Sequence, residues 1–393
     1  MKKIYFLWFL PIFFISALIV SSEEKLKPTF KYSKEVLPLD RQTREVQQRY
    51  RGKIFDSHAH LTIREGGYCD EEETTNSIVN AIKKTLDEEN VSQITIMSVP
   101  NSGRMRNYNV DVQKSLKKVL GKRMYLLCCT HYITNWANQQ YENKAKVNDL
   151  KDELTEIFIR LNKDLQNPLY AGVGEIAFLH FNKRHHQALI NFPANYSPFL
   201  KILDKIANSN KKNLYFNLHT EPIDSDNEDS YHDMAFGGAE FLFKRYPNFR
   251  WVYAHSAMTP PSNVRIILKK FPKLMMDFNL KKSNIRDHKG WAHLSNPSNN
   301  KWEPYEDWAK LMEEMPDRFM VGTDTKFCQR GQTIGIRQYK KQIKRFRKFL
   351  GALKKEAAEK IAYKNAKSFS IPNNLISLKI IESPLSFYSK LLQ

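Results

Sequence analysis

The chain has 393 residues, of which 41% are hydrophobic and 26% are charged. This balance is ordinary for a folded globular protein and excludes a collagen, a disordered chain or a disulfide scaffold. Lys and Arg number 62 against 42 Asp and Glu, giving a net charge of +20. Such an excess attracts anions, including phosphates and nucleic acid, but by itself it indicates only a basic, solvated surface.

The N-terminus has the order of a signal peptide. Lys2 and Lys3 precede an apolar run over residues 4–20, and small residues follow up to Ser22. We therefore predict a signal peptide over residues 1–22 and a periplasmic or secreted protein. The alternative is that the same run stays as an N-terminal membrane anchor, because its length can just span a bilayer. This segment is the only contact with a membrane that the sequence predicts.

Residues 23–50 are polar and mixed in charge, and we interpret them as a lead-in segment. Residues 51–370 are predicted to form one domain, and residues 371–393 a C-terminal tail. Within the domain, short apolar runs alternate with longer amphipathic stretches. The eight short runs are Ile54–His60, Gln93–Val99, Met124–Tyr132, Ala171–Ile176, Leu214–His219, Trp251–His255, Leu274–Leu280 and Phe319–Asp324.

Helical spacing of apolar residues follows these runs. The predicted helices include Ile78–Glu89, Val112–Leu120, Leu150–Leu161, Phe199–Ala207, Ala239–Arg245, Val264–Phe271, Tyr305–Met315, Ile336–Phe349 and Glu356–Ser368. The short runs are continuous rather than alternating, as strands buried on both faces should be. Eight such strands, each followed by helical sequence, predict an α/β fold of the (β/α)8 TIM-barrel type in a single domain.

Chemically active residues stand at the ends of these strands. His58 and His60 end the first strand, and residues two apart in a strand point the same way, so both imidazoles are expected inside the barrel. The other candidates are Glu175, His219, His255 and Asp324, which end strands 4, 5, 6 and 8. Active sites of such barrels lie at this face.

Each residue alone has an ordinary structural explanation, as a packed histidine, a helix cap or a buried ion pair. Together they change the interpretation. Four imidazoles and two carboxylates buried in one ring would be poorly satisfied without a cation. We therefore predict a divalent metal site made by His58, His60, Glu175, His219, His255 and Asp324. Zinc is the expected metal, as one or two ions, with manganese or iron as alternatives.

This pattern resembles the amidohydrolase superfamily. The phrase Ile-Phe-Asp-Ser-His-Ala-His looks like its first strand and Val-Gly-Thr-Asp-Thr like its last, and the similarity spans roughly Ile54 to Ser368. Many relatives carry a carbamylated Lys at strand 4, whereas this chain has Glu175, as TatD-type deoxyribonucleases and amidohydrolase-2 proteins do. The resemblance implies metal-dependent hydrolysis and leaves the substrate undetermined.

The implied roles divide the site into ligands and catalytic groups. His58, His60 and His219 would bind metal through neutral imidazole, and Glu175 would bridge two ions or stand beside one. Asp324 would take the proton of the attacking water, whose pKa the metal lowers. His255 would bind a second ion or hold the leaving oxygen. The sequence thus predicts a hydrolase that cleaves an ester, lactone or amide of a small molecule.

Two other reactions stay open. One is phosphodiester hydrolysis on nucleic acid, which the positive charge and Glu175 suggest, and the other is decarboxylation by a single-metal lyase of the amidohydrolase type. A binding protein without turnover is a further alternative. Loop cations near the strand ends are interpreted first as solvated surface charges, and the alternative is that they bind an anionic group on the substrate. They are Arg104, Arg106, Lys281, Lys282, Lys326 and Arg330.

The remaining expectations concern the loops and the cysteines. Residues 221–234 form an acidic loop that would serve as a lid, and His131 and His180 are secondary candidates for the site. Cys128 and Cys129 lie in an apolar run and are expected to be buried thiols. The sequence leaves open whether Cys69 and Cys328 pair across the mouth of the barrel, where strands 1 and 8 are neighbours.

Overall fold

A computed structural model of the chain describes residues 38–40, 49–61, 72–100, 110–181, 188–209, 214–222, 231–280, 296–328 and 332–370. The predicted signal peptide, nearly all of the lead-in segment and the C-terminal tail lie outside these ranges. Among the helices that are described, none combines the length and the apolar character that crossing a bilayer requires.

One sheet of ten strands forms the centre of this part of the chain. All neighbouring strands are parallel except β5, which pairs antiparallel with β4. The strands are β1 (Ile54–Leu61), β2 (Val91–Met97), β3 (Met124–Cys129), β4 (Tyr170–Phe181), β5 (Ala188–Asn191), β6 (Tyr215–Thr220), β7 (Arg250–Tyr253), β8 (Met275–Phe278), β9 (Phe319–Val321) and β10 (Thr325–Phe327).

The sheet has eight barrel positions, and the eighth is divided between β9 and β10. β9 pairs with β8 through Phe278 and Val321, whereas β10 pairs with β1 through Ala59 and Thr325. Only residues 322–324 separate β9 from β10, so one stretch of chain joins the last strand to the first. The predicted TIM barrel is confirmed.

Helices follow the strands and cover the outside of the sheet. They are α1 (Glu72–Glu88), α2 (Val110–Leu120), α3 (Thr130–Glu142), α4 (Lys151–Gln166), α5 (Ser197–Ala207), α6 (His232–Arg245), α7 (Pro261–Lys270), α8 (Glu306–Glu314), α9 (Gln332–Gly351), α10 (Lys355–Glu359) and α11 (Asn365–Ser370). A π-helical turn, Lys360–Lys364, connects the last two. The predicted closing helix is therefore present with an interruption.

Large apolar side chains fill the barrel near the strand starts. Phe55, Tyr215 and Met275 lie close to the beginning of their strands and belong to one buried cluster. Ala366 and Phe369 of α11 join this cluster, so the closing helix packs against the barrel core. This apolar packing leaves the other end of the strands to the polar side chains.

Two sequence predictions for β3 are wrong. The strand ends at Cys129 rather than Tyr132, because Cys129 adopts a left-handed backbone conformation (φ 81°) and α3 begins at Thr130. Cys128 and Cys129 are not thiols but form a buried disulfide between adjacent residues. Cys328 is also disulfide-bonded. Its predicted partner, Cys69, lies outside the described residues.

β4 is longer than predicted. It continues past Ile176 to Phe181 and turns back as β5 in a hairpin that the sequence analysis did not foresee. His180 lies in this extension, five residues after Glu175. It stands next to the end of β6, because Leu179 is in register with Thr220.

Candidate metal centre

The imidazoles of His58 and His60 meet at the carboxyl end of β1. Their Nε2 atoms are 3.1 Å apart. The Nδ1 atom of His58 lies 2.9 Å from Asp277 Oδ2, and that of His60 lies 3.2 Å from the carbonyl oxygen of Met97. Because both partners are acceptors, each Nδ1 carries the ring proton. In their neutral forms, which metal binding requires, the two rings therefore direct their Nε2 lone pairs at each other.

The carboxylate of Glu175 has one oxygen on each side of the site. Oε2 lies 3.7 Å from the Nε2 atoms of both His58 and His60. Oε1 lies 2.7 Å from His219 Nδ1 and 3.5 Å from His255 Nε2. The side chain is buried, with 2% of its surface exposed. Glu175 thus joins two groups of imidazoles that come from opposite sides of the barrel.

Asp324 completes the ring on the side of His60. Its Oδ1 lies 3.2 Å from His60 Nε2, and its Oδ2 accepts a hydrogen bond of 3.1 Å from Asn279 Nδ2. Its backbone is left-handed (φ 52°), and its N–H donates to the carbonyl oxygen of His58. With 17% of its side chain exposed, Asp324 is more open to solvent than the buried His58, His60 and Glu175.

The structure brings all six predicted residues together. Two buried atoms within this ring, Glu175 Oε1 and His219 Nδ1, are without a hydrogen-bond partner in the described part of the chain. They lie 2.7 Å apart and form an ion pair with each other when His219 is protonated. Unsatisfied buried polar atoms are costly, and a divalent cation between such atoms would satisfy them. The residues present therefore fit a metal, whereas their individual roles stay predictions.

Charges in the ring balance one another. Burial alone would raise the pKa of Glu175, but His219 and His58 nearby hold it well below its usual range. Burial also opposes a charge on His219, yet Glu175 raises the pKa of His219 to about 9. Burial lowers the pKa of His60. The carboxylate is therefore ionised, and without a cation the protonated form of His219 balances its charge.

Asp277 is a buried carboxylate of the site that the sequence analysis missed. Its Oδ2 binds His58 Nδ1 and accepts a hydrogen bond of 3.1 Å from Asn217 Nδ2. Its Oδ1 accepts one of 2.9 Å from the backbone N–H of His255. Asp277 therefore orients two imidazoles of the ring at once. The signal was present, because Asp277 is the only charged residue in the predicted strand Leu274–Leu280.

A second buried carboxylate, Asp56, fixes the turn that precedes Asp324. It accepts hydrogen bonds from the N–H and the hydroxyl of Thr323, at 2.9 and 2.7 Å. Burial raises the pKa of Asp56 to about 7. Gly322 precedes this turn, and a Cβ atom there would lie 2.9 Å from the Cβ of His58. The approach of β9 to β1 therefore requires glycine at this residue.

The secondary candidates have different outcomes. The Nδ1 atom of His180 lies 3.2 Å from His219 Nε2, so His180 adjoins the ring. The side chain of His131 and the loop cations Arg104, Arg106, Lys281, Lys282 and Arg330 lie outside the description, as does most of the predicted lid. Lys326 lies in β10 and is partly exposed.

No family model matches the chain, and no curated protein does. Solved structures match it distantly. A probable 2-pyrone-4,6-dicarboxylic acid hydrolase from Acinetobacter baumannii is 14% identical, with a TM-score of 0.46 over 81% of this chain and 98% of that one. A dihydroorotase from Campylobacter jejuni is 14% identical, with a TM-score of 0.41 over 88% of each chain.

An uncharacterized amidohydrolase from Saccharomyces cerevisiae is 13% identical, with a TM-score of 0.43 over 72% of this chain and 77% of that one. Similarities this remote carry no functional argument. The function of this chain is therefore argued from its own side chains.

Proposed function

We propose that this protein is a metal-dependent hydrolase that cleaves an ester, lactone or amide bond of a small molecule with water. The observation that carries the proposal is the arrangement around Glu175, whose two oxygens face two separate groups of imidazoles. A bridging carboxylate of this kind suits two divalent ions side by side. The buried unsatisfied atoms Glu175 Oε1 and His219 Nδ1 add support.

The ligands divide into two sets. The first ion would be held by His58 Nε2, His60 Nε2, Glu175 Oε2 and Asp324 Oδ1. The second would be held by Glu175 Oε1 and His219 Nδ1, with His255 as the further ligand. Imidazole with carboxylate is a donor set that suits zinc, and manganese and iron accept it too. When bound, such ions supply a water of lowered pKa and polarise the scissile carbonyl group.

Asp324 is the candidate general base. Its side chain is 17% exposed, so it lies between the buried ring and solvent. Asn279 donates a hydrogen bond to Oδ2 and thereby orients the carboxylate. A carboxylate held in this way can take the proton of the attacking water and pass it to the leaving atom. Asp324 has the geometry for this step because both of its oxygens lie in the ring.

His255 has two open roles, and the amide of Asn279 decides between them. Asn279 Nδ2 lies 3.2 Å from His255 Nδ1. If the amide nitrogen donates to Nδ1, the proton of His255 is on Nε2 and is available to the leaving oxygen. If Nδ1 instead carries the ring proton, with Asp277 Oδ1 3.6 Å away, the amide nitrogen donates only to Asp324, and Nε2 binds the second ion. The metal content of His255→Asn distinguishes the roles, since only a ligand role lowers it.

The bridging arrangement favours hydrolysis over the single-metal lyase reaction. Phosphodiester hydrolysis uses similar two-ion chemistry, so it becomes an outcome of the test rather than a second proposal. We further infer export of the protein from residues 1–22, with membrane anchoring by the same segment as the alternative.

The test uses the protein without residues 1–22, expressed with zinc, and a panel of lactones, esters, amides and a phosphodiester. We expect about two ions per chain and turnover of a carbonyl substrate that is lost with a chelator and restored by zinc. Asp307→Asn, an exposed aspartate on α8, is the matched control and should behave like the wild type. A folded protein that retains no metal, or one that cleaves only the phosphodiester, would overturn the proposal.

A further inference from the structure

A second group of metal-binding side chains adjoins the ring on its outer side. His180 Nδ1, His219 Nε2 and Glu221 Oε1 lie close together at the ends of β4 and β6. The two nitrogens are 3.2 Å apart, and Glu221 Oε1 lies 3.2 Å from His180 Nδ1 and 3.4 Å from His219 Nε2. These three atoms belong to neither set of ligands described above.

The distances match those around a tetrahedral zinc ion. Ligand atoms at ~2.0–2.1 Å from zinc are separated from each other by about 3.3–3.4 Å. The three observed separations lie within 0.2 Å of this range. A cation at this point would keep its fourth ligand position on the side of His180, whose side chain is 21% exposed, whereas Glu221 is 4% exposed.

Glu221 is fixed so that one oxygen stays directed at the two imidazoles. Its Oε2 accepts a hydrogen bond of 2.6 Å from the backbone N–H of Phe181. Its own N–H donates to the carbonyl oxygen of Leu179 at 3.1 Å. The carboxylate is therefore oriented before any ligand arrives.

We propose that His180, His219 and Glu221 form an auxiliary cation site for zinc next to the proposed two-ion centre. His219 belongs to both, since its Nδ1 faces Glu175 and its Nε2 faces Glu221. The auxiliary site has three protein ligands, and it shares one of them, His219, with the centre. It should therefore be weaker than the centre and fill mainly at high zinc concentration.

The three side chains make a site by themselves, whereas the regulatory role of that site rests on the proposed function. Its consequence is regulatory. A cation on Nε2 withdraws electron density from the ring and changes the hold of His219 on the second ion. Excess zinc would therefore inhibit an enzyme that moderate zinc activates.

The experiment uses the protein without residues 1–22. The number of zinc ions bound per chain is measured by equilibrium dialysis over a range of zinc concentrations. We expect two tight equivalents and a third, weaker one in the wild type. His180→Ala should lose the third and keep the two. His180 is suited to this test because it is the most exposed of the three side chains, so the substitution should leave the fold intact, as circular dichroism would verify.

A second variant tests the role of the carboxylate. Glu221→Gln keeps the shape and the bond from Phe181 but removes the charge, and it should also lose the third equivalent. Glu156→Gln, an exposed glutamate on α4, is the matched control and should keep all three. The outcomes separate the two proposals. If His180→Ala and the wild type bind the same number of ions, the auxiliary site is wrong. If the wild type binds one ion that His180→Ala loses and His58→Ala keeps, the two-ion centre is wrong.

Discussion

His58 and Asp277 form a buried pair that joins the first strand of the barrel to the seventh barrel position. The Nδ1 of His58 lies 2.9 Å from Asp277 Oδ2, and neither side chain is exposed. This contact places the ring proton on the outer nitrogen and directs Nε2 into the ring. A carboxylate behind a metal-binding histidine fixes both the orientation and the tautomer of the imidazole.

We expect Asp277→Asn to weaken metal binding by about 10–100-fold, because the amide no longer supplies the charge that orients His58. The affinity is measured by competition with a coloured chelator. Asp307→Asn provides the comparison, since it removes an exposed aspartate from α8. Equal affinities in the two variants would show that Asp277 does not support the metal.

Asp324→Asn should abolish turnover while it largely spares the metal content. An amide cannot take a proton, but its oxygen can still face the ion, and the other ligands remain. The metal is counted by atomic absorption and the rate is measured on the substrate that the panel identifies. Full activity in this variant would remove Asp324 from the role of base.

Metal binding should release protons and strengthen as the pH rises. The pKa of His58 is raised well above its usual 6.5 by Asp277 and Glu175 although burial opposes this, and that of His219 is raised to about 9. His219 is therefore protonated at pH 7 without metal, and the pKa of His58 is shifted in the same direction, whereas a metal ligand must be neutral. Affinity should rise from pH 6 to about 9. Calorimetry in two buffers of different ionisation enthalpy counts the released protons.

The raised pKa of His219 should also make the metal-free protein less stable as the pH rises. A group whose pKa is higher in the folded protein stabilises it below the unfolded value and loses this effect as the pH passes the folded value. The contribution of His219 should thus be complete below pH 6.5 and disappear as the pH rises through about 9. Thermal melts of the metal-free and zinc-loaded protein between pH 6 and 10 test this, with a decline expected only in the former.

Gly322→Ala should disturb the metal site from the backbone. The added Cβ would lie 2.9 Å from the Cβ of His58 and 3.1 Å from that of Asp277, so β9 or the pair must move. Such crowding in a packed interior costs about 1–3 kcal/mol. We expect lower stability in urea unfolding and weaker metal binding together.

Gly237→Ala is the matched control for this substitution. Gly237 lies in α6, where an added Cβ would meet no atom within 4 Å. Alanine in an open helical position should be neutral or should stabilise the protein by about 1 kcal/mol. If both variants lose stability equally, the close approach at Gly322 is not the reason.

The barrel and the six ring residues could be predicted because both leave local signals. Strands buried on both faces appear as continuous apolar runs. Polar residues such as His58 and Asp324 interrupt these runs at the strand ends, where barrel active sites lie. Asp277 carries the same kind of signal, a lone charge in a buried strand. Its contacts were not predictable, because they depend on which strands become neighbours across the barrel.

The structure around Cys129 and His180 left weaker signals. Cys129 has a left-handed backbone conformation at the end of β3, and its residue type does not predict this conformation. The extension of β4 to Phe181 depends on pairing with β5, a contact between segments. Residue type and spacing do not predict such contacts between separate segments of the chain.

The division of the eighth barrel position has a consequence for biosynthesis. His60 and Asp324 stand 264 residues apart, and Asp324 follows β9, the segment that the ribosome delivers near the end of the domain. A nascent polypeptide therefore contains its early imidazoles long before it contains Asp324. The proposed metal site would be complete only after Asp324 has been synthesised, which favours metal loading where the finished polypeptide folds.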